Sequence, residues 1–221
     1  MTGTIPRFVP VPDSRPEDEP WPEMVWPIPA DTELRGSTVT LTPLEPSRDA
    51  EGLFHALDSH AVWAYFSERP DSPAQIEEMM SVRKARADSM PWVVRTREGI
   101  VGTTSYLDVN THDARLEIGY TLYSAAVWAT AVNPETKLLL LGYAFDTLGV
   151  GRVQLKTDTR NIRSQQAIAR LGAQYEGTLR RHFRRFDGTV RDSVMFSVVA
   201  EDWPTVRDGL KERLGLVGGT G

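Results

Sequence analysis

One helix constrains the fold of this 221-residue chain more than any other stretch. Asn133-Pro134-Glu135 opens it with three distinct start signals. They are a side-chain acceptor for the N-cap, a proline whose missing N–H is harmless in the first turn, and an acid at the positive end of the helix dipole. Leu138, Leu141, Phe145 and Leu148 then follow 3–4 spacing, and Leu139, Leu140 and Ala144 widen the apolar face. A helix that apolar is deeply buried. Gly149 stands where a left-handed residue ends a helix.

The rest of the chain alternates around it. Residues 38–44 are β-branched at alternate positions and read as a strand. Ser47 is placed to cap a helix carrying Leu53, Phe54 and Leu57, and a second helix runs over 73–87 with Ile76, Met79 and Met80 facing inward. Strands over 91–96, 100–108 and 114–123 follow, the first two joined by Arg97-Glu98-Gly99. After the central helix come a strand over 152–157 and a helix over 161–171. A hairpin turning at Asp187-Gly188 and a terminal amphipathic helix with Val206, Leu210 and Leu214 complete the chain. The order β-α-α-β-β-β-α-β-α-β-β-α predicts a mixed α+β fold of about seven strands with helices on both faces.

The ends differ from this body. Eight of fifteen prolines fall before residue 30, around the acidic cluster Glu17-Asp18-Glu19. Proline excludes helix and central strand there, so residues 1–34 are expected to be extended or partly disordered. Trp21 and Trp26 argue that part of 21–29 lies against the body or a second subunit. The predicted domain is therefore 35–215, with 216–221 a flexible end.

Composition narrows the chemistry. There are no cysteines, which excludes disulfides, thiolate metal sites and cysteine nucleophiles, and His55, His60, His112 and His182 share no ligand spacing. No metal is expected. No apolar run reaches membrane-spanning length and no secretory signal is visible, so a cytoplasmic protein without membrane attachment is expected. The net charge of −5 hides an asymmetry: residues 152–191 hold ten basic and three acidic residues, a local +7 against −12 elsewhere. A compact polyanion would be attracted there, although solvated arginines on exposed strands explain the count equally well. No aromatic residues interleave the arginines in a nucleic-acid pattern, so nucleic acid is not the expected partner.

A strand ending in a loop that feeds a helix N-terminus gathers backbone N–H groups around an anion. The stretch from Glu117 through Trp128 to Asn133 has that form, and an ordinary well-capped core helix has it too.

In order and spacing, the chain from 38 to 202 resembles the GNAT superfamily of N-acetyltransferases, in its RimJ/RimL-like branch. The matching pieces are Leu41-Thr-Pro-Leu44, Glu117-Ile-Gly-Tyr120, Trp128, Tyr143-Ala-Phe145, Arg152-Val153, Asn161-x-x-Ser164, Leu171-Gly172-Ala173 and Glu176-Gly-Thr-Leu-Arg180. The resemblance implies a mostly antiparallel sheet splayed between its fourth and fifth strands, with acetyl-CoA in the gap as co-substrate. It implies that Tyr120, Thr121, Leu122 and Asn161 meet the pantetheine arm. By the same likeness Trp128, Thr130, Ala131, Val132, Asn133, Pro134, Glu135, Thr136 and Lys137 form the pyrophosphate loop and first helical turn. A phosphate bound there would also meet Arg160 or Arg163 of the basic segment. Ala131 and Asn133 stand where the family usually has glycine or another small residue.

Direct transfer to an amine needs a base, because a lysine-like amine has a pKa of about 10.4. The resemblance assigns that part to Glu117, acting through water; the plainer reading is a strand carboxylate paired with an arginine. The tyrosine acid of many family members is replaced by Ile168. Ser164 is then either the group that meets the leaving thiolate or a small packing residue. The implied acceptor is a small-molecule amine or a protein N-terminus, with Trp63, Tyr65, Phe66 and His182 near its pocket, Trp63 fitting the core better. A non-catalytic acyl-CoA-binding or sensor module of the same fold is the alternative, and a homodimer is compatible with either.

Overall fold

The computed structural model describes residues 9–13, 23–66 and 69–216. Trp21, the acidic cluster 17–19 and residues 217–221 lie outside them. One sheet of eight strands organises the molecule. Its strands are β1 (Leu34–Arg35), β2 (Thr40–Pro43), β3 (Met90–Thr96), β4 (Gly99–Asn110), β5 (Arg115–Tyr123), β6 (Arg152–Asp158), β7 (Gln174–Arg184) and β8 (Val190–Val199). They lie in the order β1-β2-β3-β4-β5-β6-β8-β7, antiparallel except for β5 and β6. The helices are α1 (Pro46–Ala56), α2 (His60–Trp63), α3 (Pro73–Lys84), α4 (Val132–Gly142), α5 (Ile162–Ala169) and α6 (Trp203–Arg213). Among the described residues no helix is long and apolar enough to cross a membrane.

Strand alternation sorts side chains onto two faces. Leu41, Trp92, Val94, Tyr106 and Ile118 point to one face, where they meet Leu140, Leu141, Ile168 and Trp203 from α4, α5 and α6. Val93 and Leu122 point to the other, against Leu53, Ile76 and Met80 from α1 and α3. Each fully buried leucine contributes about 1.5–3 kcal/mol. Ile118 and Leu122 share parity yet face opposite sides, so β5 changes phase between them. A bulge does this: Tyr120 and Thr121 together oppose Thr104, and the partners on either side are Ser105–Gly119 and Thr103–Leu122.

Several local expectations are corrected. Glu45, not Ser47, precedes α1, because Pro46 is pre-set for the first helical position. The central helix starts two residues early, with Ala131 at its cap and Asn133 and Pro134 already inside. It ends in a π-turn, Tyr143–Thr147, before Gly149 at φ +69°. The short strand β1 and the single turn of α2 carry too few residues for a periodic signal. Counting β1 renumbers the expected splay, which falls between β5 and β6.

Residues 23–29 lie on the body. The Val25 N–H donates to the Leu148 carbonyl at 2.8 Å and the Trp26 indole to the Ala87 carbonyl at 3.0 Å, while Ile28 is buried.

Candidate active site

The parallel strands β5 and β6 pair over only three positions, Arg115–Arg152, Leu116–Val153 and Glu117–Gln154. Beyond Glu117 they diverge, leaving the backbone of Ile118 to Tyr123 without a strand partner on that side. The gap opens toward the N-terminus of α4.

Glu117 is the last paired residue, and its side chain is 3% exposed. Lys156 Nζ lies 2.5 Å from its Oε2, and the Gln154 amide donates to the same oxygen at 3.1 Å. Oε1 has no hydrogen-bond partner among the described residues. Gly119 leaves room for it: a Cβ there would sit 2.7 Å from Oε1 and 2.9 Å from Leu107. Burial pushes the carboxyl above the ordinary glutamate range, against the pull of Lys156 and Gln154. The expected arginine partner is thus a lysine two residues along the facing strand. Lys156 also lies 3.5 Å from Asp108 and 5.3 Å from the Phe183 ring. His182, stacked on Phe183 at 4.0 Å, is held below its ordinary pKa by burial and by Lys156 and Arg191.

The pyrophosphate candidates divide into two sets. Thr130, Ala131, Val132 and Asn133 form the open end of α4, where the Thr130 hydroxyl donates to the Val127 carbonyl at 2.7 Å. Ala131 has φ −66°, a conformation any residue adopts. The left-handed turn of the loop is made by Ala129 at φ +61°, so alanine at 131 imposes no strain. Pro134 is buried. The side chains of Glu135, Thr136 and Lys137 turn into the protein, which corrects their expected part in phosphate binding. Glu135 accepts four hydrogen bonds: from the Ser37 N–H and hydroxyl at 2.8 and 2.6 Å, the Thr38 N–H at 2.7 Å and the Val39 N–H at 2.8 Å. Burial alone would raise its pKa, but these donors hold it below the ordinary range. Thr136 is fully buried, and Lys137 Nζ donates to Thr121 Oγ1 at 2.9 Å on β5.

Across the gap, Asn161 caps α5 by accepting from the Ser164 N–H at 3.0 Å. Ser164 is half-buried, and among the described residues no hydrogen bond joins it to Glu117. Arg163 reaches back from α5 and stacks on Trp128, its guanidinium carbon 3.4 Å from the ring centroid. The Trp128 indole donates to the Tyr123 carbonyl at 3.1 Å. This cation–ring contact spans the mouth of the gap. Arg152 pairs with Glu176 and Arg185 with Asp158, acids already counted in the local +7, while Lys156 pairs with Glu117 and Asp108 from outside that segment.

Of the acceptor candidates, Phe66 lies 5.5 Å from the Tyr120 ring, Tyr65 is exposed, and Trp63 is core, its indole donating to the Leu57 carbonyl at 2.9 Å. The Leu122 side chain is also core, so only its backbone faces the gap. Sequence reasoning missed Lys156 and Arg83. The first was signalled by strand alternation with Gln154, the second by the 76, 80, 83 spacing that puts Arg83 on the buried face of α3.

Residues 38–174 match the family model described as an acetyltransferase (GNAT) domain. The "Uncharacterized N-acetyltransferase p20" of Bacillus licheniformis is 26% identical over 54% of this chain, and the match spans 66% of that protein. The "Uncharacterized N-acetyltransferase YoaA" of Bacillus subtilis (strain 168) is 26% identical over 69% of this chain and 88% of its own. A candidate acetyltransferase structure from T. thermophilus is similar at 33% identity and TM-score 0.77, covering 86% of this chain and all of its own. At 18% identity the fold is shared with Mycobacterium smegmatis RimJ in complex with CoA-disulfide, at TM-score 0.68. It is shared equally with Vibrio cholerae spermidine N-acetyltransferase in complex with CoA and spermine, at TM-score 0.64.

Proposed function

Because the chain belongs to the GNAT acetyltransferase family, we propose that it transfers an acetyl group from acetyl-CoA directly to a primary amine, in the manner of the RimJ/RimL-like branch. The observation that carries this reading is the pairing of β5 with β6, which stops at Glu117 and opens a gap beside a buried carboxylate. The residues present fit the co-substrate: free backbone on β5, an α4 N-terminus whose cap residue Ala131 offers no side-chain acceptor, and Arg163 at the mouth. Acetyl-CoA bound there supplies an electrophilic thioester carbon.

The chain's own groups do the rest. Backbone N–H and C=O groups of 118–123 take the place of a missing strand and orient the pantetheine arm. The N-terminus of α4, with Asn133 and Thr130, meets the pyrophosphate. Glu117 Oε1 accepts the amine proton, directly or through one water, while Lys156 and Gln154 fix Oε2. Burial raises the basicity of this carboxylate toward neutral pH, where it serves best as a base. The acceptor enters on the face shared by α1, α3, Phe66 and His182.

Thiol release from acetyl-CoA over polyamines, peptides with free N-termini and aminoglycosides tests the reading. Turnover on at least one amine, lost in Glu117→Gln with acetyl-CoA binding retained, supports it. Saturable binding without turnover on any amine favours the acyl-CoA sensor.

A further inference from the structure

Two buried cations converge on the bulge of β5 from opposite faces of the sheet. Lys137, 4% exposed, reaches from α4 to donate to Thr121 Oγ1 at 2.9 Å and Thr104 Oγ1 at 3.5 Å. Arg83, 9% exposed, lies on the Tyr120 ring with its guanidinium carbon 3.0 Å from the centroid. Among the described residues neither pairs with a carboxylate. Glu135 is turned to the 37–39 loop, and Glu117 and Asp108 lie with Lys156.

Burying a cation against hydroxyls and a ring is costly, and stability alone does not explain it. Burial pushes Lys137 down to about 7 and Arg83 down to about 10. Other titratable groups on the elements around Lys137 are Tyr106 on β4, Tyr123 on β5 and Tyr143 after α4. Burial pushes the first two up, leaving them neutral near pH 7. Tyr120 itself holds φ +53°, a left-handed conformation that a bulky residue keeps only under constraint. Its ring is held between Arg83 and Phe66. The bulge lies just past the last β5–β6 pair, so its backbone borders the gap.

We propose that Lys137 and Arg83 are positioning residues that act through the Tyr120–Thr121 bulge to favour the negative charge left on the CoA sulfur by acetyl transfer. This rests on the acetyl-CoA reading above. In that transfer the amine nitrogen bonds to the acetyl carbon and the C–S bond breaks with its electron pair on sulfur. The amine proton passes to Glu117 or water, and the thiolate later takes a proton from solvent. Lys137 and Arg83 touch none of these atoms; their charge acts through the low-dielectric interior around the bulge that both contact.

The test is the titration of the CoA thiol bound to the full chain, followed by thiolate ultraviolet absorbance. Wild type, Lys137→Met, Lys137→Gln and Arg83→Met are compared. Arg83, pushed down only to about 10, keeps its charge over most of the range in which a thiol titrates, so the bound thiol should titrate about one pH unit lower in wild type than in Arg83→Met, a tenfold difference in thiolate fraction. Lys137 is charged only below about pH 7, so the kcat of Lys137→Met should fall about tenfold at about pH 6, with the KM for acetyl-CoA little changed, and approach that of wild type at about pH 9. Lys137→Gln keeps a donor for Thr121 without the charge, so it should follow the methionine variant; it also serves if that variant fails to fold. Identical thiol titration in wild type and Arg83→Met, or a loss in Lys137→Met that is the same at about pH 6 and about pH 9, overturns the inference. Failure of wild type itself to bind CoA overturns the acetyl-CoA reading, and this inference with it.

Discussion

Glu135 accepts hydrogen bonds from both the backbone N–H and the hydroxyl of Ser37, at 2.8 and 2.6 Å, joining the start of α4 to the loop before β2. Gly36 makes this approach feasible, because a Cβ there would lie 2.6 Å from the Glu135 carboxyl carbon. Glu135→Gln should cost about 2–3 kcal/mol in urea unfolding, since an amide leaves some of the four donors unpaired. Gly36→Ala should destabilise through the same contact. Glu135 is depressed in the folded state, so its contribution is present above the ordinary glutamate pKa and lost as pH falls through the folded value. The cost of Glu135→Gln should therefore shrink under acid conditions.

Lys137 predicts a pH trend near and above neutrality. Its folded pKa is pushed down to about 7 from an ordinary 10.5, so the unfolded chain binds more protons between those values. Stability from this group rises with pH across that window. Lys137→Met should raise the melting temperature at about pH 6, and the advantage should fade as pH approaches the ordinary lysine value.

Glu117 and Lys156 set the acid limb of the pH–rate profile. Lys156, 2.5 Å away, opposes the upward push of burial on Glu117. Lys156→Met should move that limb to higher pH, while Glu117→Gln should lower kcat by about 10²–10⁴ and remove the limb. Initial rates from about pH 5 to about pH 9 check both.

Arg163 and Trp128 close the mouth of the gap through one stacked contact. Arg163→Ala should weaken acetyl-CoA about tenfold, with kcat changed less than Kd, because the residue lies away from the reacting atoms. Calorimetric titration measures it.

Most of the fold was legible because its signals are local: the Leu138–Leu148 pattern, the Asp187-Gly188 turn and the alternation in 114–123 each describe one element. The helix start was read two residues late because Asn133-Pro134 is also acceptable inside a first turn, and nothing local favours Ala131 as a cap. Glu117 was visible, but Lys156 as its partner was not, since the register of β5 on β6 is set by tertiary packing. By their place after Trp128 and Asn133-Pro134, Glu135 and Lys137 read as part of the pyrophosphate-binding turn, which the charge of the lysine suits. Their direction is decided by Thr121 and Ser37, which lie 16 and 98 residues away in sequence.

The central claim is that acetyl-CoA occupies the gap between β5 and β6. Thermal unfolding of the full chain with and without acetyl-CoA tests it most directly. At about 100 times its dissociation constant, a ligand of the folded state adds about 2.7 kcal/mol of stability. The account predicts a clear, saturable rise in melting temperature, reduced in Arg163→Ala. An unchanged melting temperature at millimolar acetyl-CoA would contradict it.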